Sequence, residues 1–153
     1  MFSRNHNRVS HCTIALVALV ILLGATGSGD AGAKLEGPVA AIVTRVIDGD
    51  TIEVRAQIWL EQEILVKVRL AGVDAPELAA VCEEARQRAQ RARDLLVQQV
   101  DGARVLLVRI RGDKYFGRVI GHVMTPKGED LSALLLAAGL ATPYSGGRRA
   151  PMC

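Results

Sequence analysis

Apolar and polar residues alternate along the stretch that follows residue 38, and this period of two predicts β-strands. Residues 39–47 are mostly β-branched and apolar, and residues 51–58 alternate between apolar and polar side chains. Residues 64–73 form a third predicted strand, one face of which carries Ile64, Val66, Val68 and Leu70. Because successive side chains of a strand point to opposite faces, Arg69 is predicted to point away from that apolar face.

The spacing of the apolar residues changes to that of a helix at residues 83–100, where one face carries Ala85, Ala89, Ala92, Leu96 and Val100. Two more strands are predicted at residues 104–110 and 118–124, and a short helix capped by Asp130 at residues 131–138. Three strands, a helix, two strands and a helix is the order of a mainly β, α+β fold, the five-stranded OB-fold barrel with two helices. Other small barrels fit the same order.

The first 33 residues have the pattern of a secretory signal peptide. Arg4 and Arg8 precede an uncharged apolar run at residues 13–25, and the small residues at 31–33 fit a cleavage site. The run is short for a membrane span, which needs about 20 apolar residues. We therefore expect a mature domain of residues 34–153 that is secreted or periplasmic. The alternative is an uncleaved N-terminal anchor, the one case in which the protein would associate with a membrane.

Composition narrows the chemistry of this domain. Half of the residues are apolar, which is enough for a core, and the formal net charge of +3 suits a polyanionic partner without proving one. His6 and His11 lie in the predicted signal peptide, so His122 is the one histidine of residues 34–153. This excludes a site with two histidine ligands, a paired-histidine phosphodiesterase and a zinc finger.

Two cysteines lie in the predicted domain, Cys82 and Cys153. An even count in an exported domain indicates a disulfide, here between the start of the long predicted helix and the last residue. Two unpaired thiols, or a bridge between molecules through Cys153, are the alternatives, because a sequence does not fix the geometry of pairing.

Acidic residues follow the ends of two predicted strands. Asp48 and Asp50 follow the first strand, and Asp74 and Glu77 follow the third. If these strand ends are neighbours, the carboxylates converge, and carboxylates that converge need a cation or an arginine to neutralise them. Oxygen ligands without His or Cys favour a hard ion, Ca²⁺ or Mg²⁺. For the Asp-Gly-Asp tripeptide alone, a hairpin turn is the simpler interpretation.

Two arginines accompany these acids. Arg69 precedes Asp74 on the same strand, and Arg118 follows a polar turn that begins at Asp113. A guanidinium keeps its charge and grips a phosphate through two parallel hydrogen bonds. The plainer alternative for each arginine is a solvated or ion-paired strand residue.

Three segments in order resemble the signatures of the staphylococcal nuclease family: VIDGDT at residues 46–51, VRLAGVDAPE at 68–77 and DKYFGR at 113–118. Residues 131–140 are similar to the second helix of that family, and the resemblance spans roughly residues 40–144. The features around Cys82 and at the C-terminus are similar to short exported bacterial members.

The resemblance implies an OB-fold and calcium-dependent hydrolysis of phosphodiester bonds in DNA and RNA, with a 3′-phosphate on the product. It implies that Ca²⁺ is bound by Asp50, by Asp74 and by the backbone carbonyl of Ala75, with Asp48 in an outer shell. It makes Glu77 the general base that activates water. It assigns charge stabilisation at the phosphate to Arg69 and Arg118, and contact with a neighbouring phosphate to Lys114 and Tyr115.

The third signature departs from the family pattern, Asp-Lys/Arg-Tyr-Gly-Arg, because Phe116 is inserted between Tyr115 and Gly117. One extra residue reverses the side-chain direction in a strand but can be absorbed in a loop or bulge. The sequence does not decide which of Tyr115 and Phe116 is the counterpart, so the roles of Lys114 and Tyr115 stay open. Arg118 keeps its place after Gly117.

The sequence therefore predicts an exported, monomeric Ca²⁺-dependent endonuclease with DNA and RNA as substrates, little sequence preference and no stable protein partner. A non-catalytic OB-fold module that binds nucleic acid is the main alternative, and an interaction protein of the cell envelope is a further one. The joint presence of Glu77, Asp50, Asp74 and both arginines favours the enzyme.

Overall fold

Five strands close into a barrel in the part of the chain that the computed structural model describes, residues 33–148 and residue 153. The chain divides into two units, residues 1–31 and 32–153, and every described residue belongs to the second. The predicted signal peptide, residues 1–33, lies outside the described residues except for Ala33.

The elements follow the predicted order, with three additional two-residue strands. They are β1 (Lys34–Leu35), β2 (Val39–Asp48), β3 (Thr51–Trp59), β4 (Gln62–Leu70), β5 (Val73–Asp74), α1 (Glu83–Val100), β6 (Arg104–Gly112), β7 (Arg118–Met124), α2 (Leu131–Ala137) and β8 (Thr142–Pro143). This mainly β barrel with two helices confirms the predicted OB-fold class.

The barrel is closed by antiparallel pairing of β6 with both β2 and β7. The strands β2, β3 and β4 form an antiparallel meander, and β4 pairs with β7 in parallel. A parallel pair cannot be joined by a tight turn, so α1 and β6 lie between the two strands in the sequence. The closed strand order is therefore β2-β3-β4-β7-β6.

The helix α1 packs five buried residues against the barrel, and they are the five that the sequence predicts: Ala85, Ala89, Ala92, Leu96 and Val100. Four of them, Ala85, Ala89, Ala92 and Leu96, have no exposed surface at all. Because three of these are alanines, the helix backbone can approach the barrel closely. The core itself is filled by aliphatic side chains, the largest being Ile52, Leu70, Leu96, Leu107, Leu131 and Leu135.

The third strand ends earlier than residues 64–73, the range that the sequence predicts. The strand β4 stops at Leu70, and a turn follows in which Gly72 has a φ of 80°. This left-handed backbone conformation suits glycine and breaks the ladder. Val73 and Asp74 then pair with Pro143 and Thr142 instead of with a barrel strand.

The hairpin of β3 and β4 is longer than the core that it covers. Ala56 is buried, whereas Ile58 and Ile64, at the far end of the hairpin, are about half exposed. The predicted apolar face is therefore a core face only along its inner part. In the described part of the chain, no helix has the length and apolarity that crossing a membrane requires.

A disulfide joins Cys82 to Cys153, with 6.0 Å between the Cα atoms. It ties the residue that precedes α1 to the last residue of the chain. The pairing is the one predicted from the cysteine count, and neither cysteine is a free thiol in this structure.

We predict that the double substitution Cys82→Ser, Cys153→Ser lowers the free energy of unfolding. The loop spans 71 positions, and the lost restraint on the unfolded chain corresponds to about 4 kcal/mol. Urea denaturation of both proteins, with and without a reducing agent, measures the effect. The parent protein should lose stability on reduction and the double variant should not, and equal midpoints for all four samples would contradict the prediction.

Candidate active site

A buried ion cluster joins Arg69 to Asp50 and Asp74. The Nη2 atom of Arg69 lies 2.8 Å from Asp50 Oδ2 and 2.6 Å from Asp74 Oδ1. The Nη1 atom of Arg69 donates a second hydrogen bond, of 3.2 Å, to Asp50 Oδ1. All three side chains are less than one tenth exposed. The sequence prediction that Arg69 points away from the apolar face holds, since Val68 and Leu70 lie in the core and Arg69 meets the carboxylates.

The turn between β2 and β3 delivers Asp50 to this cluster. The amide of Leu70 donates to the carbonyl of Asp50 at 2.9 Å, which fixes the turn to the end of β4. Gly49 makes the close approach possible, because a Cβ at this position would lie 2.9 Å from the Cβ atoms of both Ala75 and Ala92. The turn, the loop after Asp74 and α1 therefore meet at a point where only glycine fits.

The two aspartates are held by separate partners as well as by Arg69. The Thr51 hydroxyl donates to Asp50 Oδ1 at 2.9 Å, and the Ala75 amide contacts Asp50 Oδ2 at 3.4 Å. The backbone of Asp74 is held by its pairing with Thr142 in β8. Each carboxylate is therefore fixed by its own strand end and not by the arginine alone.

Asp48 does not join the cluster directly. Its Oδ1 atom accepts a hydrogen bond of 3.1 Å from the amide of Asp50, so it caps the turn. The sequence suggested that four carboxylates converge, but the described residues contain no group of three or more His, Cys, Asp or Glu side chains placed to hold an ion. Fewer carboxylates therefore converge than the sequence suggested. Asp50 and Asp74 both contact Arg69, and Asp48 contacts the backbone of Asp50.

Burial raises the pKa of Asp50 to about 6. The Arg69 guanidinium opposes this rise and the charge of Asp48 adds to it, and burial is the largest of the three effects. Two carboxylates and one guanidinium carry a net charge of −1 when all are ionised. The cluster is thus short of positive charge even with Arg69 in place.

The donor set fits a hard divalent cation. Calcium binds carboxylate and carbonyl oxygens at about 2.3–2.6 Å, and Asp50 and Asp74 already direct one oxygen each at a single cationic atom, Arg69 Nη2. The amide of Ala75 lies 3.4 Å from Asp50 Oδ2, so the backbone of Ala75 is next to one of the two carboxylates. Two carboxylates and one carbonyl leave further positions for water and substrate oxygens.

A groove with a volume of about 800 Å³ opens beside the cluster. It is lined by five residues that the sequence selected: Arg69, Glu77, Lys114, Tyr115 and Arg118. Glu77 is exposed and Arg69 is buried at the groove's floor. The structure therefore brings both predicted arginines and the predicted base to one cavity next to the predicted metal ligands.

The parallel pairing of β4 and β7 places the two arginines together. Lys67 pairs with Arg118 and Arg69 pairs with Ile120, so Arg69 and Arg118 lie on the same face of neighbouring strands. The Nε atom of Arg118 donates a short hydrogen bond to Asp113 Oδ2, which fixes the plane of the guanidinium. Its terminal nitrogens form no hydrogen bond with any residue that the structure describes.

The loop between β6 and β7 places Tyr115 in the groove and Phe116 outside it. Tyr115 lines the groove, and its ring lies under Arg118 at 4.6 Å and Lys114 at 5.0 Å. Phe116 does not line the groove and is fully exposed. The insertion is absorbed in the loop, where Gly117 has a φ of 75° and the Arg118 amide bonds to the carbonyl of Tyr115.

Tyr144 and Arg111 are among the groove residues that were not selected from the sequence. The amide of Tyr144 donates to the carbonyl of Gly72 at 2.9 Å, and the ring lies 6.0 Å from the Arg69 guanidinium. An aromatic residue shortly after the last predicted helix, in a chain with 3% aromatics, was the available signal. Arg111 gave no signal beyond being a charged strand residue.

Comparison with known proteins agrees with the family resemblance of the second and third motifs. The family model described as staphylococcal nuclease homologue matches residues 67–151. A protein of Escherichia coli named "Uncharacterized endonuclease" is 32% identical over 102 residues, which are 67% of this chain and 59% of that protein. The chain therefore matches less than two thirds of that relative's length.

Two further relatives extend the comparison. "Protein ParB" of Escherichia coli is 33% identical over 138 residues, 85% of this chain and 67% of that protein. "Probable endonuclease LCL3" of Leptosphaeria maculans is 37% identical over 89 residues, 56% of this chain and 30% of that protein. Two of these three relatives are named as endonucleases.

We predict that Asp50→Asn changes the pH dependence of stability in the absence of divalent ions. With a pKa raised from 3.8 to about 6, folded Asp50 holds its proton where the unfolded chain has lost it, so stability falls as pH rises through that window. The variant has no carboxyl group at position 50, so its stability does not fall for this reason. Its stability relative to the parent protein should therefore rise by about 1–3 kcal/mol between about pH 3.5 and pH 7.

Urea denaturation in a chelating buffer at several pH values measures this difference. Asp101→Asn, which removes an exposed carboxylate at the end of α1, is the control and should follow the parent protein at each pH. A constant difference between Asp50→Asn and the parent protein across this range would show that burial does not penalise the charge of Asp50.

Proposed function

The chain belongs to the staphylococcal nuclease homologue family, and from this membership we propose that it is a calcium-dependent endonuclease acting on DNA and RNA. The observation that carries the proposal is the joint lining of one groove by Arg69, Arg118 and Glu77, directly beside the paired carboxylates of Asp50 and Asp74. A module that only binds nucleic acid needs the arginines but has no use for the buried carboxylate pair and the groove glutamate together.

Arg118 is the residue best placed to receive a phosphate. Its Nε atom is held by Asp113, which leaves the terminal fork to donate two parallel hydrogen bonds to phosphate oxygens. Arg69 adds positive charge from the floor of the groove. Donors fixed before the substrate arrives stabilise the charge that develops on phosphorus in the transition state without reorganisation.

Glu77 supplies the basic group. Its exposed carboxylate lines the same groove, so a water molecule beside it can lose a proton as it attacks the phosphorus. The loop that carries Glu77 starts at Asp74 and Ala75, which are fixed by β8 and by Asp50. Glu77, the proposed base, therefore lies on a loop that begins at the proposed metal ligands Asp74 and Ala75.

Asp50, Asp74 and the carbonyl of Ala75 would hold the calcium ion, which neutralises phosphate charge and orients the attack when it is bound. Asp48 would act from outside the ligand set, since it already holds the amide of Asp50. Lys114 and Tyr115 would contact a neighbouring phosphate from the groove wall. Contacts of this kind position the backbone and do not read bases, so little sequence preference is expected.

We also propose that the protein is exported and acts as a monomer in the periplasm or outside the cell. The support is the signal-peptide pattern of residues 1–33 together with the disulfide, since disulfides persist in oxidising compartments. Sequencing the N-terminus of the exported protein tests this, with Lys34 as the expected first residue.

We predict that the mature protein digests single-stranded DNA, duplex DNA and RNA in the presence of calcium and loses this activity in a chelator. Glu77→Gln should lower kcat by about 10²- to 10⁴-fold, the usual contribution of a general base. Arg118→Lys should lower it by about 10²-fold or more, because a point charge cannot replace the fixed fork. Initial rates on a labelled oligonucleotide measure both.

Glu63→Gln and Arg55→Lys are matched controls, because they alter an exposed ion pair on the β3–β4 hairpin that does not line the groove. Both should retain the parent rate. A folded parent protein with no calcium-dependent activity would favour the binding module. Full activity of Glu77→Gln would remove that residue from the role of base.

A further inference from the structure

A second groove, of about 430 Å³, adjoins the candidate active site. The two grooves share four lining residues, Gly72, Arg111, Tyr144 and Ser145. Beyond this common wall the second groove is lined by residues of three segments: Lys34 and Glu36 in and after β1, Arg109 in the bulged part of β6, and His122 in β7. A chain molecule lying in the first groove can therefore continue into the second without leaving the protein surface.

The charges of the two grooves differ in how far they are neutralised. In the first groove, Arg69 is paired with two aspartates and Arg118 with Asp113, whereas Lys114 and Arg111 form no ion pair with an acidic side chain of the described residues. In the second groove, Lys34, Arg109 and Arg111 form no ion pair with any acidic side chain among the described residues. Glu36 is the one carboxylate among its described lining residues, and His122 is bonded to Asp130. Among the described residues, the second groove thus has three cationic side chains without an ion pair, against two in the first groove, and Arg111 is common to both.

The backbone that forms this groove is irregular at Arg109. The register of β6 against β7 shifts between Val108 and Arg111, and Arg109 has a φ of 50°, a conformation that non-glycine residues rarely adopt. The amide of Arg109 is satisfied by the carbonyl of Glu36 at 2.8 Å, and Lys34 pairs with Arg111. The bulge and the added strand β1 together place three cationic residues along one groove.

We propose that the second groove is a binding track for the phosphodiester backbone of the substrate strand, beyond the phosphate that is cut. Arg111, which lines both grooves, is the junction, and Arg109 and Lys34 contact phosphates further along the strand. This inference rests on the proposed function for the identity of the strand, and it adds a preference for substrates long enough to reach Arg109 and Lys34.

Binding to labelled oligothymidylates in a chelating buffer tests the track without cleavage. Fluorescence anisotropy over a range of salt concentrations gives the slope of log K against log salt, whose magnitude is about 0.7 for each phosphate that the protein neutralises on a single strand. Arg109→Gln and Lys34→Gln should each lower this magnitude by about that amount on a strand of about twelve nucleotides and weaken its binding several-fold. A trinucleotide of the same sequence is too short to reach these two residues, so both substitutions should leave its salt slope unchanged.

Two variants make the result specific. Arg109→Lys keeps the charge and should restore most of the slope, which separates the removal of charge from disturbance of the bulge. Arg104→Gln removes an exposed charge from the other end of β6, outside both grooves, and should behave as the parent protein. Unchanged slopes for Arg109→Gln and Lys34→Gln, an equal decrease in Arg104→Gln, or an equal decrease on the trinucleotide would each overturn the track.

The binding experiment and the hydrolysis assay can fail independently of each other. If the slopes change but calcium-dependent hydrolysis is absent, the track stands as a nucleic-acid binding site and the nuclease proposal fails. If hydrolysis is present and the slopes do not change, the nuclease proposal stands and the track fails.

Discussion

The bridge from one guanidinium to two buried carboxylates is the interaction on which the site depends. Arg69 comes from β4, Asp50 from the β2–β3 turn and Asp74 from the short strand β5, so the bridge joins three separate backbone segments. Without the arginine, two carboxylates would be buried side by side with no opposite charge, at a cost of several kcal/mol. With it, one negative charge remains in excess when all three groups are ionised.

This bridge requires close backbone approach more than it requires side-chain packing. Gly49 allows the turn that carries Asp50 to touch Ala75 and Ala92, and the alanine face of α1 lets the helix lie near enough for that contact. Small residues at this junction therefore have a functional reason, since the positions of Asp50 and Asp74 are set by them. The two aspartates, the helix α1 and the loop that carries Glu77 are therefore held together at one junction.

Much of the fold and of the candidate site could be predicted from the sequence. The features that could not be predicted depend on contacts between distant parts of the chain. The meeting of Arg69 with Asp50 and Asp74 was expected only if two strand ends were neighbours. The strands and the buried face of α1 follow from local periodicity. The break at Gly72 and the arrival of Tyr144 in the groove do not, because both depend on the pairing of β5 with β8, a contact between distant parts of the chain. The turn cap formed by Asp48 agrees with the hairpin-turn interpretation of the Asp-Gly-Asp tripeptide.

The parallel pairing of β4 with β7 has a consequence for when the protein can act. Arg69 and Arg118 become neighbours when β7 pairs with β4, and α1 and β6 lie between these two strands in the sequence. A polypeptide that is still extended, for instance while it is being moved between compartments, carries all of these residues but no assembled centre. For the nuclease proposed above, which could otherwise cut the genome of the cell that makes it, this requirement keeps the unfolded chain inactive without an inhibitor.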